Sequence, residues 1–286
     1  MSSELEILAR WRTIGSRHSE DVIELGKRVL RGNVGDQEWS IREQLAIAAL
    51  DMGQNELAKE QITILHRKFP SSPRVRILDG LLLESRGEVE QAKSTYEGLL
   101  RVDETDVSAH QRIISLNLSS SSPSSAIPPL LKYLDTFYSD PSGWSILSEL
   151  YCELAMYVQA LDAIGHLLVI QPWDESAVRK AGEVAYTLGD YQLSLKHFLR
   201  AAEMEGDKET NPKPTRTRTW WGIKLATSRL LESNSNSIES SVPQEFRSSQ
   251  KQLLLLDQLA TERILSVGGK GSDLKRKVLG ESSVVR

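Results

Sequence analysis

The residues that most often perform chemistry are few in this 286-residue chain and do not form a known catalytic pattern. Cys152, the single cysteine, could act as a nucleophile, but no motif places a His or Asn partner for it, so we expect it to pack within a helix. The histidines show neither the H-x3-H nor the H-E-x2-H spacing of a metal site. We therefore expect no metal site. The five histidines are His18, His66, His110, His166 and His197.

Two further patterns suggest ligands but fail on their details. Gly268-Gly269-Lys270 resembles a phosphate-binding loop, yet it lacks the leading Gly and the Ser or Thr after Lys, and we expect it to follow a helix rather than a strand. Trp220 and Trp221 lie beside a basic stretch and could stack on bases, but both belong to an apolar helical stripe typical of a core. No pair of carboxylates is set apart for hydrolytic chemistry. We expect no enzyme, no cofactor and no nucleic-acid partner.

The pattern of the stretch Pro141–Asp174 predicts the helices that carry these residues. Trp144, Leu147 and Tyr151 share one helical face, Ala160 lies on a second helix, and Pro172 closes the unit. This is the pattern of a tetratricopeptide repeat, a helix–turn–helix unit of about 34 residues, with Ser148 where Gly is usual. The small Ala160 predicts a close approach of the second helix to the first. Such a unit needs neighbours on both sides to bury its apolar faces.

The same small residue recurs at the tetratricopeptide period, at Ala58, Ala92, Ala126 and Ala160, and Ser194 follows one step later. A large residue stands four positions after each, and this register predicts an all-α solenoid, a right-handed superhelix of antiparallel helix pairs. The large residues are Ile62, Tyr96, Leu130, Ile164 and Phe198. The five predicted repeats are 39–72, 73–106, 107–140, 141–174 and 175–208.

The two ends and the third repeat depart from this pattern. Residues 1–38 are predicted to form N-terminal capping helices, since a solenoid end needs an atypical repeat. Residues 119–125 and the prolines after them predict a longer loop, with the second helix of that repeat beginning near 127–129. Residues 209–267 are predicted to form a degenerate helical hairpin with an exposed basic insert at 208–219, and 268–286 a flexible basic tail.

Charge and hydropathy restrict the compartment and the partners. The net charge is −4, but residues 1–207 carry −10 and residues 208–286 carry +6. The basic end is either ordinary solvated surface or a contact for an acidic partner or an anionic membrane. No signal peptide and no run of about 18 apolar residues is visible. We therefore expect a cytosolic or nuclear chain, unless a partner holds it on a membrane, so that any membrane contact is through partners only.

The first helix of each repeat is expected to line the inner side of the superhelix, where partners bind. Glu43, Glu149 and Glu183 fall there and would repel an acidic C-terminal peptide of the kind that co-chaperones bind. The mixed apolar and acidic lining suits a helix or extended segment with apolar and basic residues. The predicted groove residues are Glu43, Ile47, Ile77, Leu81, Gln111, Ser115, Ser145, Glu149, Arg179 and Glu183.

The N-terminal part of the chain contains a set of short motifs in a distinctive order. They are Trp11-Arg12, His18-Ser19-Glu20, Val22-Ile23-Glu24-Leu25-Gly26, Glu43-Gln44, Ala48-Ala49-Leu50-Asp51-Met52-Gly53, Arg67-Lys68-Phe69-Pro70 and Arg74-Val75. These motifs resemble a known family, subunit 2 of the endoplasmic reticulum membrane protein complex, and we expect a fungal-type member. The resemblance covers most of residues 5–230, but not the serine-rich third repeat or the insert at 208–219, and no motif matches the end after residue 232.

This resemblance implies a non-catalytic scaffold on the cytosolic face of the endoplasmic reticulum. Family members bind cytosolic segments of the membrane subunits and a soluble subunit, and the complex inserts tail-anchored and multipass membrane proteins. Two other functions stay open. One is a free cytosolic tetratricopeptide adaptor that binds peptide motifs of chaperones or other partners. The other, an RNA-binding helical repeat protein, depends only on the basic excess of 208–286.

Overall fold

The computed structural model describes residues 2–119, 122–206, 214–232, 240–266 and 272–279, and within these ranges the regular secondary structure is entirely helical. Gly268-Gly269-Lys270 and residues 208–213 of the predicted basic insert lie outside the described residues. The chain divides into two compact units, Met1–Thr136 and Phe137–Arg286.

The first unit contains a pair of N-terminal helices followed by three helical pairs. A short 3-10 helix, Pro123–Ala126, precedes the last helix, which begins at Ile127 as the prolines predicted. The eight α-helices are α1 Ser2–Ile14, α2 Ser19–Val29, α3 Gln37–Asp51, α4 Asn55–Lys68, α5 Pro73–Ser85, α6 Val89–Leu100, α7 Val107–Leu118 and α8 Ile127–Thr136.

The second unit contains two regular pairs, a longer hairpin and a short terminal helix. A 3-10 turn at Gln244–Phe246 lies between the two helices of the hairpin. The α-helices are α9 Pro141–Glu153, α10 Tyr157–Ile170, α11 Glu175–Thr187, α12 Tyr191–Glu205, α13 Pro214–Glu232, α14 Gln250–Ser266 and α15 Ser272–Leu279. We call α3, α5, α7, α9 and α11 the A helices, and α4, α6, α8, α10 and α12 the B helices.

The small repeat positions lie at the centre of the helix packing. Ala58, Ala92, Ala126 and Ala160 are all 0% exposed. Ser194 is also buried, and its hydroxyl donates a hydrogen bond of 2.8 Å to the carbonyl oxygen of Gly182, which satisfies the polar group that replaces Ala. The large positions beside them, from Ile62 to Phe198, are each at most 3% exposed.

Aspartates begin several of the helices. Asp106, Asp140 and Asp174 precede α7, α9 and α11, and each carboxylate accepts from backbone N–H groups of the first turn that follows. These N–H groups have no partner within the helix, so an acidic N-cap satisfies them and also interacts favourably with the helix dipole. Pro141 stands at the first position of α9, where its missing N–H costs nothing.

The residues expected to shape the Pro141–Asp174 repeat occupy different environments. Trp144 is half-buried and stacks on His166 of α10 with ring centroids 4.2 Å apart, and its indole N–H donates to the Tyr138 carbonyl. Tyr151 packs against the cluster that contains Ala160. Pro172 is exposed, and its carbonyl oxygen accepts from Arg200 at 2.8 Å.

The C-terminal predictions need two corrections. The basic insert was expected to extend to Thr219, but α13 begins at Pro214, because a proline at the start of a helix does not oppose it. The tail was expected to be flexible over 268–286, but Ser272–Leu279 form α15. Basic residues lie in the last turn of α15, where they interact favourably with the carboxyl end of the helix dipole.

Candidate partner-binding surface

In the first unit the predicted groove residues divide into packed and exposed groups. Ile47 and Leu81 pack against the core cluster around Ala58, and Ile77 packs against the cluster around Tyr96, so these three side chains are half-buried. Gln111 and Ser115 are exposed on α7, where the Ser115 hydroxyl donates to the Gln111 carbonyl at 2.8 Å. The surface therefore presents polar groups over a partly covered apolar floor.

In the second unit the predicted residues are more polar. Ser145 is half-buried, and its carbonyl oxygen accepts from the Ser148 hydroxyl at 2.7 Å. Glu149 is largely exposed, with 63% of its side-chain surface accessible. Arg179 lies along α11 and pairs with Glu175 one turn earlier and, at 4.0 Å, with Glu183 one turn later.

The three groove glutamates form ion pairs that join successive helices. Each carboxylate contacts a cation 31 or 35 residues further along the chain, on the next A helix or, for the last pair, on α13. The closest nitrogen–oxygen distances are 2.5 Å for Glu43–Arg74, 3.4 Å for Lys180–Glu149 and 2.6 Å for Arg218–Glu183. These glutamates were expected to be uncompensated negative charges, but in the fold each is paired with a cation.

A fourth pair of this kind, Arg112–Glu84, is better shielded and includes a tyrosine. Arg112 of α7 contacts both carboxylate oxygens of Glu84, and the Tyr96 hydroxyl donates to Glu84 at 2.5 Å. Burial, and then the hydrogen bond to Glu84, raise the pKa of Tyr96 well above its usual value. Burial acts to lower the pKa of Arg112, but its bonds to Glu84 outweigh this and raise it. The trio links three helices of the first unit.

In the second unit Asp190 fastens the segment before α14 to the turn between α11 and α12. Its carboxylate accepts from the Ser240 hydroxyl at 2.6 Å, from the Ser241 backbone N–H at 2.8 Å and from the Ser241 hydroxyl, and also from the Leu193 N–H of α12. Burial acts to raise the pKa of Asp190, but these hydrogen bonds outweigh it and lower the pKa below its usual value. The C-terminal hairpin is thereby attached to the repeats.

Two further residues considered as functional candidates, Trp220 and Cys152, pack against hydrophobic clusters. Trp220 packs against the cluster around Phe198. Cys152 is half-buried beside Ala160 and Ile164, and burial raises the pKa of its thiol. Within the described parts of the chain, no group of three His, Cys, Asp or Glu side chains is placed to hold a metal ion. None of the described helices is long and apolar enough to cross a membrane.

Sequence reasoning missed the ion pairs between neighbouring helices, although a signal for them exists. Equivalent positions on successive A helices are about 34 residues apart, and a residue 31 positions later lies about one helical turn before the equivalent position. An acid and a base 31 residues apart are therefore expected to face each other on neighbouring A helices. Glu43 with Arg74 and Glu149 with Lys180 follow this rule. The Asp190 contacts cross 50 and 51 residues and follow no repeat rule.

Comparison with known proteins agrees with this architecture. Residues 61–197 match the family described as the EMC2 TPR-like repeat domain. ER membrane protein complex subunit 2-A of Xenopus laevis is 34% identical over 200 residues, which cover 68% of this chain and 67% of that protein. TPR repeat protein oca3 of Schizosaccharomyces pombe is 29% identical over 206 residues, 70% of each chain.

Among solved structures, the C-terminal part of a TPR repeat-containing protein from Cytophaga hutchinsonii is similar with a TM-score of 0.61. The alignment covers 95% of this chain and 98% of that one at 14% identity, so it supports the fold alone. The prediction of an all-α tetratricopeptide fold is confirmed. The identity to subunit 2-A across two thirds of both sequences carries the stronger conclusion: the chain belongs to the family of ER membrane protein complex subunit 2.

Proposed function

We propose that this chain is a non-catalytic scaffold subunit of an endoplasmic reticulum membrane protein complex. The observation that carries the proposal is the 34% identity to ER membrane protein complex subunit 2-A along 68% of this chain. The A helices of each unit would serve as contact surfaces for other subunits. In that role the chain needs rigid, exposed helical surface rather than a reactive group, and the ion pairs between A helices supply rigidity.

The surface of each unit suits segments of mixed character. Half-buried Ile47, Ile77 and Leu81 offer apolar contact in the first unit, while exposed Gln111 and Ser115 offer hydrogen bonds. Each paired glutamate can still accept a hydrogen bond from a partner, and because its cation partly neutralises it, it repels acidic partner residues less than an isolated carboxylate would. A partner helix or extended segment with apolar residues and a few donors would therefore be accepted, and a basic residue would compete for the glutamates.

The proposal includes a location and a role for the complex. The chain would lie on the cytosolic face of the membrane, bound to cytosolic segments of membrane subunits and to a soluble subunit. The complex would insert tail-anchored and multipass membrane proteins, and this chain would position the subunits that do so. The residues of the A-helix surfaces, from Glu43 to Glu183, are proposed as the contact positions.

Affinity purification from cells of the source organism tests the proposal. The full chain carries a C-terminal tag, membranes are dissolved in mild detergent, and the bound proteins are identified by mass spectrometry. We expect integral membrane proteins of the endoplasmic reticulum in stoichiometric amounts. An untagged strain controls for non-specific binding. Recovery of chaperones without endoplasmic reticulum membrane proteins would reject the scaffold role and favour a free adaptor.

A further inference from the structure

A pocket of about 250 Å³ lies in the first unit between the end of α1, the turn into α2 and the side of α3. Trp11 and His18 form one wall, stacked with ring centroids 4.4 Å apart. Ile47 and Ala48 of α3 add apolar surface, and the pocket opens to solvent. Its volume fits one side chain of a partner together with the adjoining main chain. No residue of the described chain fills it.

Arg12 lines this pocket and lacks an anionic partner. The residue is half-buried, and its guanidinium makes neither a hydrogen bond nor an ion pair with any described residue; Nη1 is fully buried. The other two arginines of the pocket are engaged, Arg17 with Asp51 at 3.5 Å and Arg74 with Glu43 at 2.5 Å. A cation with one buried donor and no partner is partly desolvated, so the positive charge of Arg12 favours an added anion.

Gln44 presents the complementary group in the same pocket. Its Nε2 donates to the Leu8 carbonyl oxygen at 3.3 Å, and this bond fixes which end of the amide faces α1. The other end, Oε1, is buried and accepts no hydrogen bond from the described residues. Arg12 and Gln44 both line the pocket, and each holds one buried polar atom without a partner, so a ligand in the pocket can satisfy both groups if the two side chains rotate toward it.

We infer that this pocket binds a carboxylate-bearing apolar segment of a partner polypeptide. The carboxylate accepts from Arg12, a main-chain amide N–H donates to Gln44 Oε1, and an apolar side chain packs against Trp11 and Ile47. Because no bond holds the Arg12 guanidinium in its present place, it turns toward the ligand without breaking one. The carboxylate is either the C-terminus of the partner or an Asp or Glu side chain beside an apolar residue.

Other occupants explain less of this arrangement. A water molecule satisfies hydrogen bonds but not the charge of Arg12. A phosphate group carries up to two negative charges, and the cations that would match the second, Arg17 and Arg74, are already paired. A carboxylate supplies one charge and a planar pair of oxygens, which suits one guanidinium. This inference goes beyond the proposed scaffold role, because the carboxylate ligand is deduced from the pocket residues and not from membership of a complex.

The test uses the purified full chain and small probes, observed by NMR on the ¹⁵N-labelled indole groups of the six tryptophans. The Trp11 signal is assigned with a Trp11→Phe variant. N-acetyl-leucine models a chain terminus, N-acetyl-leucyl-glutamate amide models a side-chain carboxylate, and N-acetyl-leucinamide lacks the carboxylate. We expect a saturable shift of the Trp11 signal with at least one carboxylate probe, and the stronger of the two identifies the source.

Two matched variants separate the Arg12 contact from general charge effects. Arg12→Met removes the proposed contact, and we expect about ten- to a hundredfold weaker binding of the carboxylate probe. Arg17→Met removes the same charge at the same pocket, but Arg17 is 78% exposed and already paired, so binding should change less than about threefold. Arg12→Met should not lower the melting temperature, because it breaks no bond within the chain.

Several results would overturn the inference. They are no shift of the Trp11 signal with either carboxylate probe, an equal shift with N-acetyl-leucinamide, or unchanged binding in Arg12→Met. Each is independent of whether the chain enters an endoplasmic reticulum complex, because the probes act on the isolated protein. Failure of this test and failure of the affinity purification are therefore distinguishable.

Discussion

Gly80 and Tyr96 fit so closely that a Cβ atom on Gly80 would lie 2.3 Å from Cε1 of the tyrosine ring. Gly80 lies on α5 and Tyr96 on the B helix that follows, and the ring is 0% exposed. The next such pair, Gly182 with Phe198, is also close, at 3.1 Å. Where the large residue is the smaller Ile62, the matching position holds Ala46. In four of the five repeats the residue 16 positions before the large one is Gly, Ala or Ser, which lets the two helices approach closely, whereas the third repeat has Ile114 before Leu130.

Gly80→Ala should therefore destabilise the protein. The added methyl overlaps the Tyr96 ring, which is anchored by its hydrogen bond to Glu84 and cannot withdraw, so we expect a loss of about 1–3 kcal/mol. Urea unfolding followed by circular dichroism measures it. Gly165→Ala is the matched control, since Gly165 is a helical glycine with nothing within 4 Å of its Cβ position. There we expect a gain of about 0.5–1 kcal/mol. Equal effects at both sites would contradict this packing account.

Ala155→Gly should stabilise the second unit. Ala155 has a φ of 56°, and it occupies the turn position that holds glycine with positive φ at Gly53, Gly87 and Gly189. A Cβ in this left-handed conformation costs about 1–2 kcal/mol, partly offset by the greater freedom of glycine in the unfolded chain. We expect a net gain of about 0.5–1 kcal/mol in thermal or urea unfolding. Gly189→Ala, the reverse change at the equivalent position, should lose a similar amount; a gain there would reject the explanation.

Arg112→Met should cost more stability than Arg74→Met, although both remove an ion pair between A helices. Glu84 and Glu43 are equally shielded, at 16% and 17% exposed, but Arg112 is only 32% exposed and shares Glu84 with Tyr96, so its loss should cost about 1–3 kcal/mol. Arg74 is 74% exposed, so its loss should cost less than about 1 kcal/mol. A double-mutant cycle with Glu84→Gln isolates the coupling. Coupling near zero would show that the Arg112–Glu84 pair does not hold the helices together.

His197 should make the protein less stable in mild acid. Burial, assisted by the charge of Arg200 and opposed by Asp190, lowers the pKa of His197 in the folded state. The unfolded state then takes up the proton first as the pH falls below about 6.5, so stability is full above that value and declines as the pH falls from there through the lower pKa of the folded state. Unfolding free energies of the wild type and of His197→Gln across this range measure the effect.

The variant should show the flatter pH profile. Glu205, whose pKa is raised by burial, is common to both proteins and cancels in the comparison. Parallel profiles would mean that His197 does not titrate differently in the two states.

Much of the repeat architecture was predictable because its signals are local. The 34-residue recurrence of Ala58, Ala92, Ala126 and Ala160 reflects one packing requirement repeated along the chain, and the prolines at 128 and 129 correctly predicted where α8 begins. The start of α13 was misjudged because Pro214 is compatible both with a loop and with the first turn of a helix.

The candidate surfaces were less predictable, for a physical reason. Periodicity indicates which face of a helix a residue occupies, but it does not say whether a side chain on that face finds a partner. The 31-residue spacing predicts the contact of Glu43 with Arg74, whereas no spacing predicts that Asp190 would bind Ser240 and Ser241 or that Arg12 would remain unpaired. Such pairing depends on side-chain geometry between helices rather than on sequence spacing alone.

Site-specific photo-crosslinking in cells tests the central claim most directly. A photoreactive amino acid replaces Ser115 in one strain and Glu149 in another, both exposed on A helices, and Gln91 and Gln159, exposed on B helices, serve as controls. The account predicts crosslinks from Ser115 and Glu149 to subunits of an endoplasmic reticulum membrane complex, with weaker or no crosslinks from the controls. Crosslinks to these subunits from the B-helix positions alone, or none from any position, would contradict it.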